Sequence, residues 1–311
     1  MSTRNRYIGR YAPSPTGPLH FGALIAAVAS YLDARAHGGT WLVRIEDIDV
    51  VRCKPAFADS ILQTLEAFAL IADAVVVRQT DRSAYYHAAL EQLWRTRHVY
   101  ACDCSRKEIA DSAIHRVGVD GPIYPGTCRD KKLEPHDHAQ RIIAEARQID
   151  FVDRVQGSQS QNVAREIGDF VLRRRDNVFA YQLAVVVDDA AQGVTHVVRG
   201  ADLLDSTARQ IYLQQMLGYT TPEYLHHPVA TNTLGQKLSK QTRAMAVDGR
   251  FAPTAQLIAA LSFLGQDTAA LPTATPRELL AVAVTRWDES RIAPVRSIRT
   301  ERLSDAVGQT R

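Results

Sequence analysis

From Tyr7 to Gln79 short apolar runs alternate with segments of helical period: YIGRYA, LHFGALIAAVASYLDARAHGG, TWLVRIED, a segment opening at Pro55, and AVVVRQ. Strand, helix, strand, helix, strand in that order leaves little choice of architecture. Parallel strands need long crossovers, and the crossovers are helices. The chain is therefore predicted to be an α/β protein built on a parallel sheet. Pro55 suits a first helical turn, where a missing N–H costs nothing. Gly38 and Gly39 suit a left-handed helix end.

From Tyr100 to Asp150 the alternation breaks into CDC, a short polar segment, PIYPGTC and the charged stretch KKLEPHDHAQR. This reads as an insertion between two halves of a sheet. DFVLRRRDN, FAYQLAVVVDD and VTHVVRGADLL then carry strand signals, and LDSTARQIYLQQML has helical apolar spacing. After residue 225 the reading is loop with KLSK, then helices at about 253–265 and 276–287. Roughly the last twenty residues show no apolar face and are expected to fray.

With 311 residues and 46% hydrophobic content the chain has ample material for a core. It shows no eighteen-residue apolar run and no secretory pattern at MSTRNRYIGRY, so a cytoplasmic protein without membrane contact is expected. A monomer is the simplest expectation. The formal charge of +3 neither demands nor excludes a nucleic acid. Only six of the 37 basic residues are lysines, and two of these, Lys237 and Lys240, share the tetrapeptide KLSK.

Two short motifs could carry chemistry. In GPLHFGAL a helix begins near His20, and the unpaired N–H groups of a helix start attract phosphate. His20 would add a donor, and Gly22 would let a flat ligand approach the backbone. A half-buried histidine beside a packing glycine explains the same letters. In LGQKLSKQ the paired ammonium groups of Lys237 and Lys240 can close over a polyphosphate; a solvated basic turn is the alternative. Cys102, Cys104 and Cys128 are either metal ligands or reduced structural thiols, with His98 and His115 as candidate further ligands. Cys53 stands apart as an ordinary thiol, and Arg10 with Glu46 could be a plain ion pair at a sheet edge.

Taken together, RYAPSPTGPLHFGAL, LVRIEDID, DFVLRRRDNVFAYQLAVVVDD, VTHVVRGADLL and KLSKQ resemble the class I aminoacyl-tRNA synthetases of the glutamyl type. HFGA stands for their HIGH motif and KLSKQ for KMSKS. The resemblance spans about residues 7–245. It implies a Rossmann-type parallel sheet in two halves, 1–99 and 166–245, with a zinc-containing insertion at 100–165 and a helical segment at 246–311. The chain ends about seventy residues after KLSK, so no anticodon-binding domain is expected. That length points to the truncated paralogues, which attach glutamate to the queuosine base in the anticodon loop of tRNA(Asp) instead of to a 3′ adenosine.

The resemblance implies roles residue by residue. Arg10, Tyr11, Ala12, Pro13, Ser14, Glu46, Tyr181 and Arg199 would bind glutamate, the arginines taking its carboxylates and Glu46 its ammonium. His20, Gly22, Lys237 and Lys240 would bind ATP with its Mg²⁺, and His20 and Lys240 would be catalytic. Cys102, Cys104, Tyr124 and Cys128 would hold one structural zinc. The implied partners are ATP, L-glutamate and tRNA(Asp) carrying queuosine. Rival readings are a truncated enzyme charging tRNA(Glu) at its 3′ end, a small nucleotidyltransferase, and a catalytically inactive tRNA-binding paralogue.

The chain departs from the pattern at Ala23, the last position of HFGA, where the family has a histidine or serine donor, and at Gln241, which ends KLSKQ. Ala23→Ser is expected to lower the KM for ATP in pyrophosphate exchange. An unchanged KM would mean that no donor is missing at this position.

Overall fold

The computed structural model describes residues 7–112, 117–118, 121–232, 247 and 249–300. The first half comprises β1 (Ile8–Tyr11), α1 (Phe21–Ala36), β2 (Thr40–Ile45), α2 (Pro55–Ala67), β3 (Val77–Arg78) and α3 (Ser83–Arg95). The middle of the chain gives β4 (Val99–Cys102), α4 (Arg106–Ser112), β5 (Val117–Gly118), β6 (Gly121–Pro122), β7 (Ala139–Ile142), β8 (Gln148–Asp153), β9 (Gly157–Asn162) and β10 (Val171–Arg173). There follow α5 (Tyr181–Ala191), β11 (His196–Gly200), α6 (Leu204–Leu217), β12 (Glu223–His227), β13 (Val229–Thr231), α7 (Pro253–Phe263), α8 (Pro276–Thr285) and β14 (Ser297–Arg299).

The alternation seen in the sequence becomes a seven-stranded sheet of order β3-β2-β1-β11-β12-β8-β9, parallel except for β9. From β1 the chain crosses to β2 on one side, and the second half lays β11 on the other. The strand order thus reverses at β1 and β11, and their carboxyl ends open a crevice of the kind in which open α/β sheets bind ligands. Helix α1 seals one face with Leu24, Ile25, Val28 and Leu32, all buried. It ends at Gly38 (φ 63°), whose N–H reaches Arg35 O at 3.0 Å. Gly39 is forced by contact, since a Cβ there would lie 2.7 Å from Tyr7.

Several expectations need correction. FAYQLAVVVDD is helix α5, not a strand. Its valines favour strands, but Leu183 to Asp189 are all buried, and an apolar run wanted on every side suits a buried helix equally. DFVLRRRDN does hold a strand, β10, but in a separate antiparallel sheet β10-β7-β4. Within the stretch read as insertion, β8 and β9 extend the edge of the main sheet. The stretch beyond residue 225 is not loop at first: β12 lies in the middle of the sheet, its two histidines and the following proline hiding the pattern. Ser297–Arg299, in the stretch expected to fray, is β14 and pairs in parallel with β13. The KLSKQ stretch, His115 and the residues after 300 lie outside the described residues.

The helical segment α7–α8 packs on α1, and one buried carboxylate ties the chain beyond it into the first half. Asp33 accepts from both Arg154 Nη atoms, at 2.7 and 2.9 Å, from Trp287 Nε1 at 3.0 Å, and from the Tyr7 hydroxyl. Removing it would leave the Tyr7 and Trp287 donors without this acceptor and a mostly buried guanidinium with Glu289 alone as its acidic partner. Asp33→Ala is expected to cost about 3–5 kcal/mol in urea denaturation, and a loss under 1 kcal/mol would show that the pairing contributes little.

Candidate active site

A cavity of about 540 Å³ opens at the carboxyl ends of β1 and β11. Strand β1 delivers Arg10 and Tyr11 to it, and the segment after β1 delivers Ala12, Pro13 and Ser14. That segment is extended by its prolines and pinned by two backbone bonds, Glu46 N–H to Pro13 O at 2.9 Å and Lys54 N–H to Pro15 O at 3.1 Å. Glu46 follows directly on β2, Tyr181 opens α5, and Arg199 with Gly200 ends β11. The start of α1 contributes His20, Gly22 and Ala23. His227, Pro228, Val229 and Ala230 form the wall leading out of β12.

The cavity thus brings together Arg10, Tyr11, Ala12, Pro13, Ser14, His20, Gly22, Glu46, Tyr181 and Arg199, which the sequence singled out. Lys237 and Lys240 lie outside the described residues. His20 is the N-cap of α1, its Nδ1 accepting the Ala23 N–H at 3.2 Å. An Nδ1 used as acceptor leaves the proton of the neutral ring on Nε2, so the imidazole offers a donor from its other edge. The same cap uses the backbone of Ala23, which any side chain at that position would supply.

Sequence reasoning missed the charges behind the wall. Arg44 is wholly buried and lies 2.8 Å from Asp189, 3.2 Å from Glu46 and 3.6 Å from Asp188, while its Nη1 donates to Gln192 at 2.7 Å. Asp189 also receives Arg10 Nε, at 3.1 Å. Burial pushes the Glu46 carboxyl above its ordinary value, with Arg44 and then Arg10 pulling against it. Burial acts the same way on Asp189, but Arg10 and Arg44 outweigh it and leave that carboxyl below its ordinary value. Burial, and after it the Glu46 charge, raise the Tyr181 phenol. A signal did exist: Arg44 and Glu46 are two apart on a strand and so share a face, and a lone arginine inside WLVRI needs a buried partner.

Arg199 is held differently. Its Nε donates to His226 Nε2 at 2.9 Å and its Nη2 to Thr207 Oγ1 at 2.9 Å. His226 in turn meets Asp153 Oδ2 at 2.6 Å through Nδ1. Burial takes the His226 imidazole down to about 4, the Asp153 bond opposing and the Arg199 charge adding, so the ring is neutral near pH 7.

A second constellation sits in the insertion. The sulfurs of Cys102, Cys104 and Cys128 lie within 4.8 Å of one another, a group able to hold one metal ion. Cys104 and Cys128 Sγ are 3.3 Å apart, and Tyr124 Oη lies 3.4 Å from both Cys102 and Cys104 Sγ. Metal–ligand bonds of about 2.0–2.3 Å in a tetrahedron separate the ligands by roughly 3.3–3.8 Å, so three thiols and a phenol at these spacings fit a single zinc. The Arg141 guanidinium lies 4.2 Å over the Tyr124 ring and would offset negative charge on the ligands. His98 instead bonds to Thr96 Oγ1 and is not among the clustered ligands.

Residues 8–273 match the family of tRNA synthetases class I (E and Q), catalytic domain. Among solved structures, a glutamate–tRNA synthetase from Elizabethkingia anophelis superposes with a TM-score of 0.78 at 23% identity, covering 97% of this chain and 69% of that one. A glutamate tRNA ligase from Elizabethkingia meningosepticum gives 0.76 at 23% identity, over 95% of this chain and 67% of that one. These likenesses show a shared fold. The chain belongs to the class I tRNA synthetases of the E and Q type.

The relatives narrow this further. The glutamyl-Q tRNA(Asp) synthetase of Aromatoleum aromaticum is 54% identical over 284 residues, 90% of this chain and 89% of its own. That of Cupriavidus metallidurans is 52% identical over 312 residues, 98% of each. Within the class, the chain belongs with the glutamyl-Q tRNA(Asp) synthetases, a family of ligases.

In zinc titrations of the metal-free protein, Cys104→Ser is expected to lose most of the binding shown by the unsubstituted protein. Equal binding by the two, or none by either, would remove the cluster as a metal site.

Proposed function

We propose that the protein, acting in the cytoplasm as a monomer, activates glutamate with ATP and transfers the glutamyl group to the queuosine base of tRNA(Asp). The observation that carries this reading is a single cavity walled on one side by a capped helix start and on the other by Arg10, Glu46, Tyr181 and Arg199. A helix start suits phosphate, while two guanidinium groups, a carboxylate and a phenol suit an amino acid with two carboxylates and one ammonium. The names of relatives more than half identical over most of the chain support the same choice of substrate.

The chemistry needs no covalent nucleophile from the protein. ATP enters as its Mg²⁺ complex with its phosphates toward the start of α1, where backbone N–H groups and His20 Nε2–H face developing negative charge. Gly22 leaves room for the nucleotide against the backbone. Arg10 and Arg199 hold the carboxylates of glutamate and Glu46 its ammonium, so that the α-carboxylate oxygen meets the α-phosphorus. That P–O bond forms as the bond to pyrophosphate breaks, giving glutamyl-adenylate. Lys237 and Lys240, by the resemblance of KLSKQ to KMSKS, attend the departing pyrophosphate. A hydroxyl of the queuosine cyclopentenediol then attacks the acyl carbon, forming the ester and releasing AMP. In the insertion, Cys102, Cys104, Cys128 and Tyr124 would hold one zinc. It would cross-link β4 to the segment around Tyr124 and take no part in the reaction.

Glutamate-dependent exchange of pyrophosphate into ATP without tRNA, followed by transfer to tRNA(Asp) with and without queuosine, tests the reading. Exchange is expected with glutamate alone among amino acids, and transfer only to the modified tRNA. His20→Ala is expected to slow exchange about a hundredfold, the scale of losing one donor to a developing charge. Equal charging of tRNA(Glu) would refute the choice of acceptor, and exchange with no amino acid would refute the activation step.

A further inference from the structure

Three neighbouring parallel strands each place one polar side chain in a buried row. Asp153 ends β8, His226 lies on β12, and Arg199 lies opposite His226 on β11. Their residues are 1%, 0% and 5% exposed. Arginine carries donors only, so it can be held only by acceptors. An imidazole accepts at Nε2 only when neutral and protonated at Nδ1, and Asp153 enforces that form by taking Nδ1–H at 2.6 Å. Asp153 is itself fixed, since its Oδ1 receives the backbone N–H groups of His226 at 3.1 Å, Val155 at 3.1 Å and Gln156 at 2.8 Å.

The two arginines of the cavity are therefore held in different ways. Arg10 is anchored by the carboxylate of Asp189, which offsets its charge. Arg199 is anchored by a neutral ring and a hydroxyl, and among the described residues no carboxylate pairs with it. Its Nε and Nη2 are taken up by protein acceptors, while no described residue accepts from Nη1. A guanidinium fixed at one edge, with no carboxylate partner among the described residues and lining a cavity, is prepared for an incoming carboxylate.

We propose that His226, oriented by Asp153, is a positioning residue for glutamate recognition: it fixes the plane of the Arg199 guanidinium without neutralising it, so that Arg199 meets a substrate carboxylate at full charge. The inference rests on the reading of Arg199 as a glutamate-site residue. It also accounts for a buried histidine and aspartate inside the sheet, where a pair without a task would weaken packing.

The test combines exchange kinetics with a spectrum that does not depend on activity. His226→Leu removes the acceptor and is expected to raise the KM for glutamate roughly tenfold to a hundredfold, the scale of one lost hydrogen bond to a charged group. The KM for ATP should stay within about twofold, because a displaced Arg199 does not touch the phosphate side. His226→Gln, whose amide oxygen can stand near the place of Nε2, should recover most of the loss. Nitrogen-15 spectra of the unsubstituted protein should show His226 protonated at Nδ1 and bare at Nε2 at neutral pH, with the Nε2 signal moving when glutamate is added. Equal rises in both KM values, a fall in kcat alone, or no recovery in His226→Gln would overturn the proposal. Protonated Nε2 at neutral pH would overturn it even if no variant folds. If the unsubstituted protein neither exchanges with nor binds glutamate, the glutamate reading falls and the proposal with it. A bare Nε2 in that case would show the Arg199 anchor present in a site of other specificity.

Discussion

A wholly buried guanidinium is among the most costly groups a protein can enclose, and Arg44 is one. Alone, its desolvation would cost several kcal/mol. Glu46, Asp188 and Asp189 surround it, and their charges outweigh burial so that the guanidinium is held more firmly protonated than usual. The consequences spread outward. Helix α5 must dock with Asp188 and Asp189 facing β2, which sets where Tyr181 enters the cavity. Asp188 also accepts from Arg82, Gln79 and Tyr86, so the chain around α3 is drawn to the same centre. Glu46 keeps a cation close by despite its burial, and Arg10 receives its anchor from the carboxylate that compensates Arg44.

The sheet converts this centre into a site. Because the chain leaves β1 for β2 on one side and returns as β11 on the other, the ends of β1 and β11 part and Arg10 and Arg199 face a common space. The start of α1 closes it on one side, with His20 Nδ1 capping the helix. Residues nearly two hundred positions apart become neighbours through strand order alone. Side-chain chemistry then separates the two arginines, one paired with a carboxylate and one held by a neutral ring.

How much of this the sequence disclosed depended on whether local pattern and tertiary demand agreed. They agreed in β1, α1, β2 and α2, where strand period, helix period and proline placement point one way. They parted in α5, whose β-branched run looks like a strand because a helix buried on every face loses the polar stripe that would reveal it. They parted again in β12, where His226 and His227 look like solvent residues until Asp153 and the cavity wall are known. Ten of the cavity-lining residues, from Arg10 to Arg199, were legible through motifs. Of the groups behind the wall, Arg44 left a signal inside WLVRI, while Asp188, Asp189, His226 and Asp153 left none, because a buried charge is recognised by its partners and theirs come from other strands and helices.

The pairing of β14 with β13 joins the far end of the described chain to the cavity. Val229 and Ala230 line the cavity on β13, and at the outer edge of that strand Val229 N–H donates to Arg296 O at 3.0 Å and Thr300 N–H donates to Thr231 O at 3.0 Å. Residues 296–300 thus serve as an outer brace for a wall whose inner face lines the cavity. Any change in the pairing of residues 296–300 would therefore be felt at Val229 and Ala230, where the strand lines the cavity.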